Sequence, residues 1–142
     1  MYWVGTRQKK FDFYKRATRL YAKKWMKKSL GILFMAKRTI PKRVEKKINL
    51  LKDNLKQDGV PISRMYLFGS YAKGNAHKWS DIDICVVSPK FGKEIKDPFM
   101  YMWMKQSELN DFELEPIGFT PKDFREGDSL IAEIKKHGIR II

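Results

Sequence analysis

At 142 residues and 43% hydrophobic content the chain suffices for one ordinary core and is too short to suggest a second folded domain. Its formal net charge of +14 suggests a polyanionic partner, but ten of the 30 Lys and Arg lie in residues 1–34 beside one acid, Asp12, leaving +5 for residues 35–142. The single cysteine, Cys85, excludes an intramolecular disulfide and fits a buried strand in a reducing, cytoplasmic setting, and the apolar run Leu30–Ala36 is far short of the roughly 20 residues of a spanning helix, so neither a membrane span nor a secretory signal is expected.

Residues 1–34 mix aromatic and basic side chains without helical spacing and read as an extension on a domain at 35–142. Three explanations stay open: an over-extended reading frame ahead of a natural start at Met35, a basic arm for nucleic acid, or a segment that docks on a partner or membrane surface. From Pro41 the pattern becomes regular, with Val44, Ile48, Leu51 and Leu55 predicting an amphipathic helix closed by Asp58-Gly59. Arg64–Phe68 reads as a strand running into Gly69-Ser70, a short helix is expected from Ser70 to about Lys73, and Asp81–Val87 reads as a second strand ended by Ser88-Pro89. Asp97-Pro98 opens a helix to about Leu109, and Phe112–Phe119 is a third strand. Thr120-Pro121 starts a helical turn, Ser129–His137 forms a last helix, and Ile139–Ile142 can add a terminal strand. Alternating strands and helices predict an α/β fold: a small mixed sheet with helices packed on one face and a site on the other.

Residues two apart on a strand share a face, so Asp81 and Asp83 point together while Ile82, Ile84 and Val86 take the opposite face. Paired carboxylates repel, and a divalent cation relieves the repulsion; hard oxygen donors suit Mg²⁺, completed by water and substrate phosphate. Upstream, Phe68-Gly69-Ser70 leads a strand through a glycine into a helix start, where backbone N–H groups and the Ser70 hydroxyl can meet a phosphate.

The run from Leu67 to Val87, in which Gly69-Ser70 is followed by ten residues and then Asp81-Ile82-Asp83, resembles the signature of the DNA polymerase β-type nucleotidyltransferases. The resemblance is strong over about residues 60–120 and extends in layout over 35–142. It implies the polymerase β-like nucleotidyltransferase fold, two Mg²⁺ ions on Asp81 and Asp83, and ATP or another nucleoside triphosphate with its phosphates over Gly69 and Ser70. It also implies a third carboxylate from a neighbouring strand. Glu113 and Glu115 are expected on one face of the third strand, with Glu115 the first choice, Glu113 the second, and Asp111 too near the strand start. Because the chain is short of an acceptor-binding domain, the resemblance leans to the minimal nucleotidyltransferases. Many of these are antitoxins that transfer AMP from ATP to a tyrosine of a helical HEPN-type toxin. A non-catalytic nucleotide- or partner-binding module with antitoxin action is the rival reading, and nucleic-acid binding rests on residues 1–34 alone.

Other residues carry plainer expectations. His77 and Lys78 precede the acids and read as solvated loop, and His137 reads as a dipole partner at a helix end. The run Phe99–Met104 is apolar all round a helix, more than one core face absorbs, so half of it should pack inward and the rest form a partner surface.

Overall fold

Helix α1 (Lys42–Gln57) follows directly from its apolar spacing: Val44, Ile48, Leu51 and Leu55 are all buried on one stripe. Pro41 sits just ahead of the helix, and Asp58 caps its end through its backbone N–H. The computed structural model describes residues 39–142, so the basic extension 1–34 and the start at Met35 lie outside the described residues. After α1 come β1 (Arg64–Phe68), α2 (Gly69–Lys73), β2 (Ile82–Val87), α3 (Pro98–Leu109), β3 (Leu114–Phe119), α4 (Pro121–Glu126), α5 (Ser129–His137) and β4 (Ile139–Arg140).

The strands form a mixed sheet in the order β3-β2-β1-β4. β1 runs antiparallel to β2 and to β4, whereas β2 and β3 are parallel, which requires the long crossover through α3. This is the expected mixed α/β sheet. Two strands start later than the sequence suggests. Asp81 precedes β2, because the chain is still turning through His77 and Ser80, where Ser80 N–H donates to the His77 carbonyl and His77 N–H to Ser80 Oγ. Asp111 and Glu113 precede β3: the Asp111 carboxylate accepts from Glu113 N–H and its carbonyl from Leu114 N–H, a local turn that competes with strand pairing. The terminal strand is only Ile139–Arg140, although Ile141 and Ile142 continue to hydrogen-bond Met65.

Strand alternation divides the sheet into two faces. Met65 and Leu67 of β1, Ile82, Ile84 and Val86 of β2 and Leu114 of β3 pack with the α1 stripe, Phe91 and Met102 of α3 into the main core. On the second face, Tyr66, Cys85 and Val87 meet Phe124 of α4 and Ile131 and Ile134 of α5. The expectation of helices on one face alone is therefore corrected: α4 and α5 cover the part of the second face away from the start of β2, because Tyr66, Cys85 and Val87 make that part apolar too, and only the end that carries Asp83 is left outside this cluster.

Helix α3 opens as predicted, with the Asp97 side chain accepting from Met100 N–H at 3.0 Å and Pro98 in the first turn; Asn110 closes it in a left-handed conformation. Its residues divide less evenly than the expected half inward: Met102 is buried and Tyr101 partly buried, while Phe99, Met100, Trp103 and Met104 are exposed, because the inward stripe continues instead through Lys105. Lys105 is buried too, a position few lysines tolerate without partners. It pairs with Asp58 and, at 2.6 Å, with Glu108, while Tyr101 OH donates to Asp58 at 2.6 Å. Burial opposes the Lys105 charge, but Asp58 and Glu108 outweigh it, and together these residues pin α3 to the end of α1. Among the described residues no helix is long and apolar enough to cross a membrane.

Candidate active site

The end of β1 and the starts of β2 and β3 meet at one end of the sheet. Phe68 is opposite Asp83, and Asp83 is opposite Glu115 in the parallel β2–β3 register, so both carboxylates project from the same face. The late start of β3 separates the two glutamates that the sequence placed together. Glu113 turns toward α1, where it pairs with Arg43 and, at 3.0 Å, with Lys47, and those cations hold its carboxyl below the usual range. Lys47 also reaches Asp111 at 2.7 Å. The structure therefore brings Glu115 to Asp83 and gives Glu113 and Asp111 to an ion-pair network with α1.

The electrostatics of Asp83 have one direction. Partial burial, then the neighbouring charges of Glu115 and Asp81, then a hydrogen bond with Glu115 push its carboxyl up to about 6. Asp81 lies just before the strand and is exposed. Among the described residues no three His, Cys, Asp or Glu side chains form a ready-made cation cage. What exists is a close Asp83–Glu115 pair with Asp81 beside it. Such an arrangement suits a cation that takes one or two carboxylates and draws its other donors from water and substrate, as Mg²⁺ does.

Gly69 packs against the Asp83 carboxylate. Its φ of +67° is a conformation that only glycine adopts freely, and a Cβ there would lie 2.9 Å from Asp83 Cγ and overlap Oδ2. The glycine is thus required twice, for the turn from β1 into α2 and for the space that Asp83 occupies. Helix α2 begins at Gly69, one residue before the predicted start, and has only five residues. So short a helix adds little dipole, and any phosphate-binding capacity here rests on the close backbone and the half-buried Ser70.

His77 and Lys78 take their plainer roles: His77 Nδ1 accepts from Trp79 N–H at 3.3 Å within the turn, and Lys78 lies 5.1 Å from the Trp79 ring centroid. His137 sits in the last turn of α5. Cys85 is buried, with its thiol pushed up to about 12, as befits a core residue with no part in acid–base chemistry.

On the β3 side a cleft of about 230 Å³ opens between the carboxylates and α3, lined by Asp83, Glu115, Phe99, Trp103, Gln106, Pro116 and Ile117. Sequence reasoning had not joined Trp103 and Gln106 to the acids. The available clue was the spacing of 99, 103 and 106, one stripe of α3.

The family profile described as nucleotidyltransferase domain matches residues 48–141, from within α1 to beyond β4, and includes every residue of the Asp83–Glu115–Gly69 cluster. The chain belongs to the nucleotidyltransferase domain family. Among solved structures, this nucleotidyltransferase-family chain is similar to a Sulfolobus solfataricus protein assigned as a nucleotidyltransferase, at 22% identity and a TM-score of 0.50, over 69% of this chain and 78% of that one. That likeness shows a shared fold. Two further structures are 22% identical with TM-scores of 0.44: a toxin–antitoxin with AMP-PNP, over 65% of this chain and 70% of that one, and a mutant of the toxin–antitoxin MntA–HpeT, over 70% and 72%. Among curated protein sequences none matches significantly.

Proposed function

We propose that this nucleotidyltransferase-family chain transfers a nucleoside monophosphate, AMP from ATP, to an acceptor hydroxyl. Asp81, Asp83 and Glu115 serve as its catalytic and metal-binding carboxylates, and Gly69 and Ser70 as its phosphate-binding residues. The observation that carries this reading is the convergence of Asp83, Glu115 and Gly69 at one end of the sheet.

The donor set fits Mg²⁺, two ions by family resemblance, because every charge near Asp83 opposes its ionisation and a bound cation would reverse that balance. When bound, Mg²⁺ supplies polarisation of the α-phosphate and neutralisation of charge on the attacking and leaving oxygens. The chain's own residues do the rest. Gly69 presents backbone close to the phosphates without a side chain in the way, and Ser70 offers a hydroxyl donor to a phosphate oxygen. In this reading Asp83 or Glu115 accepts the proton of the acceptor hydroxyl. The acceptor oxygen forms a bond to the α-phosphorus, the bond from that phosphorus to the oxygen bridging to the β-phosphate breaks, and pyrophosphate leaves.

For the acceptor we favour a tyrosine of a helical HEPN-type partner, which makes the chain an antitoxin that acts by modification. Its supports are the resemblance in Leu67–Val87 and the exposed apolar side chains of α3.

The test is transfer of label from α-labelled ATP with Mg²⁺ in lysate of the source cells, comparing wild type with an Asp81→Asn, Asp83→Asn double variant. Label on a macromolecule is expected only with wild type, with a loss of at least about 10²–10³-fold in the variant. Label retained by the variant refutes the carboxylate roles. ATP binding without any transfer by wild type replaces the enzyme with a binding module.

A further inference from the structure

We propose that the second face of the sheet carries a separate polyphosphate site at the end away from Asp83, in which Arg64, Arg125 and Lys135 hold the linked phosphates of a free nucleotide or of inorganic pyrophosphate. Nothing in it depends on the chemistry at Asp83.

The antiparallel register of β1 with β2 sets the two sites apart. Phe68 is opposite Asp83 at one end of the pair, and Arg64 is opposite Val87 at the other. The strand between them spans about 13 Å at roughly 3.3 Å per residue. At the Arg64 end a groove of about 490 Å³ opens where β1, α4 and α5 meet. Buried Tyr66, Val87 and Phe124 form its floor, and exposed Arg64, Arg125 and Lys135 its rim. The Tyr66 and Phe124 rings stack with centroids 5.7 Å apart, which holds α4 on β1 and keeps the floor rigid.

Lys135 Nζ lies 4.8 Å from the centroid of the Phe124 ring and donates to the Arg125 carbonyl at 3.4 Å. Those two contacts fix the ammonium at the groove and leave the rest of its three N–H donors to a ligand. Among the described residues no carboxylate pairs with Lys135, Arg64 or Arg125, although Lys47, Lys73, Lys90 and Lys105 all have such partners. Residues 1–38, outside the described part, contain a single acid, Asp12, and one carboxylate cannot balance three cations. Three positive charges from three elements therefore border one groove and call for an anion. One phosphate group carries about two negative charges at neutral pH, so the set matches two or three linked phosphates better than one. Guanidinium forks suit phosphate oxygens in particular. The volume falls within the roughly 300–1,000 Å³ of small-ligand sites, which favours a free polyphosphate over a polymer.

The experiment is NMR of the full chain labelled with ¹⁵N-arginine, in EDTA, with the side-chain Nε–Hε peaks of Arg64 and Arg125 assigned by their loss in Arg64→Gln and Arg125→Gln. The probes are ATP, inorganic pyrophosphate, sulfate at matched ionic strength, a short RNA without terminal phosphates and a short oligoglutamate. ATP and pyrophosphate are expected to move both peaks saturably, and Lys135→Gln, which keeps most of the stem over Phe124, to weaken both titrations about three- to tenfold. Tighter binding of ATP identifies a nucleotide as the ligand, and equal or tighter binding of pyrophosphate identifies the free ion; either supports the site. Peaks indifferent to both polyphosphates, moved as much by sulfate, moved more by the RNA or the oligoglutamate, or unaffected by Lys135→Gln overturn the proposal. Asp83→Asn is expected to leave the titrations unchanged. Loss of the shifts in that variant would assign them to the centre at Asp83 and remove the separate site.

Discussion

The two faces of strand β2 are built for opposite tasks, although their residues alternate along one short segment. Ile82, Ile84 and Val86 are completely buried against α1 and neighbouring strands, where each methyl group is enclosed. On the other face, Cys85 and Val87 are also covered, by α4 and α5, but Asp83 stands at the open end beside Glu115, with its carboxyl destabilised in the charged form. One face lowers the free energy of the fold and the other raises it locally. The difference teaches that the site is held in place by the core behind it: the unfavourable carboxylate pair persists because the apolar half of the same strand fixes its position.

The largest expected effect on stability comes from the core face. Ile84→Ala removes a fully buried side chain at the centre of the main cluster and should cost about 2–5 kcal/mol, read as a lower denaturation midpoint with unchanged slope. If Ile84→Ala proves no worse than a surface change, the division of labour between the faces fails. Next is Gly69→Ala, which places an L side chain at φ +67° and a Cβ against the Asp83 carboxylate. It should cost about 1–3 kcal/mol from backbone strain and lower label transfer by about a hundredfold through displacement of Asp83. Unimpaired transfer would show that Asp83 need not sit where it does.

The smallest effect is the most specific to the open face. Without divalent ions, a folded Asp83 keeps its proton to about 6, whereas an unfolded one loses it near 3.8. The folded state therefore binds more protons in that window, and stability should fall as pH rises from about 4 through about 6. After allowance for solvent screening at this half-buried group the change is about 1 kcal/mol. Melting curves across this range should show the slope in wild type and not in Asp83→Asn, and Mg²⁺ should offset it at neutral pH. A pH slope that survives in Asp83→Asn assigns it to other groups.

Much of this architecture was legible from local pattern. Val44, Ile48, Leu51 and Leu55 specify a helix by spacing alone, the β-branched run of β2 specifies a strand, and the Asp97-Pro98 and Thr120-Pro121 pairs mark helix starts that the side-chain caps realise. The limits came where side chains compete with the backbone. Asp111 and His77 draw nearby N–H groups into turns, so Glu113 and Asp81 fall outside the strands that alternation had assigned to them.

The sequence by itself determined the apolar stripe of α1, the alternation of β2, the helix starts at Asp97 and Thr120, and that two aspartates and a Gly-Ser pair stand at a family-specific interval, because these depend on residue chemistry and short-range periodicity. Only the tertiary structure decided that Glu115 rather than Glu113 lies beside Asp83, that Gly69 leaves room for that carboxylate, and that Phe99 and Trp103 border the same cleft. Each of these joins residues distant in the chain, and their proximity is set by the parallel register of β2 with β3 and the packing of α3 across it, which no local pattern encodes.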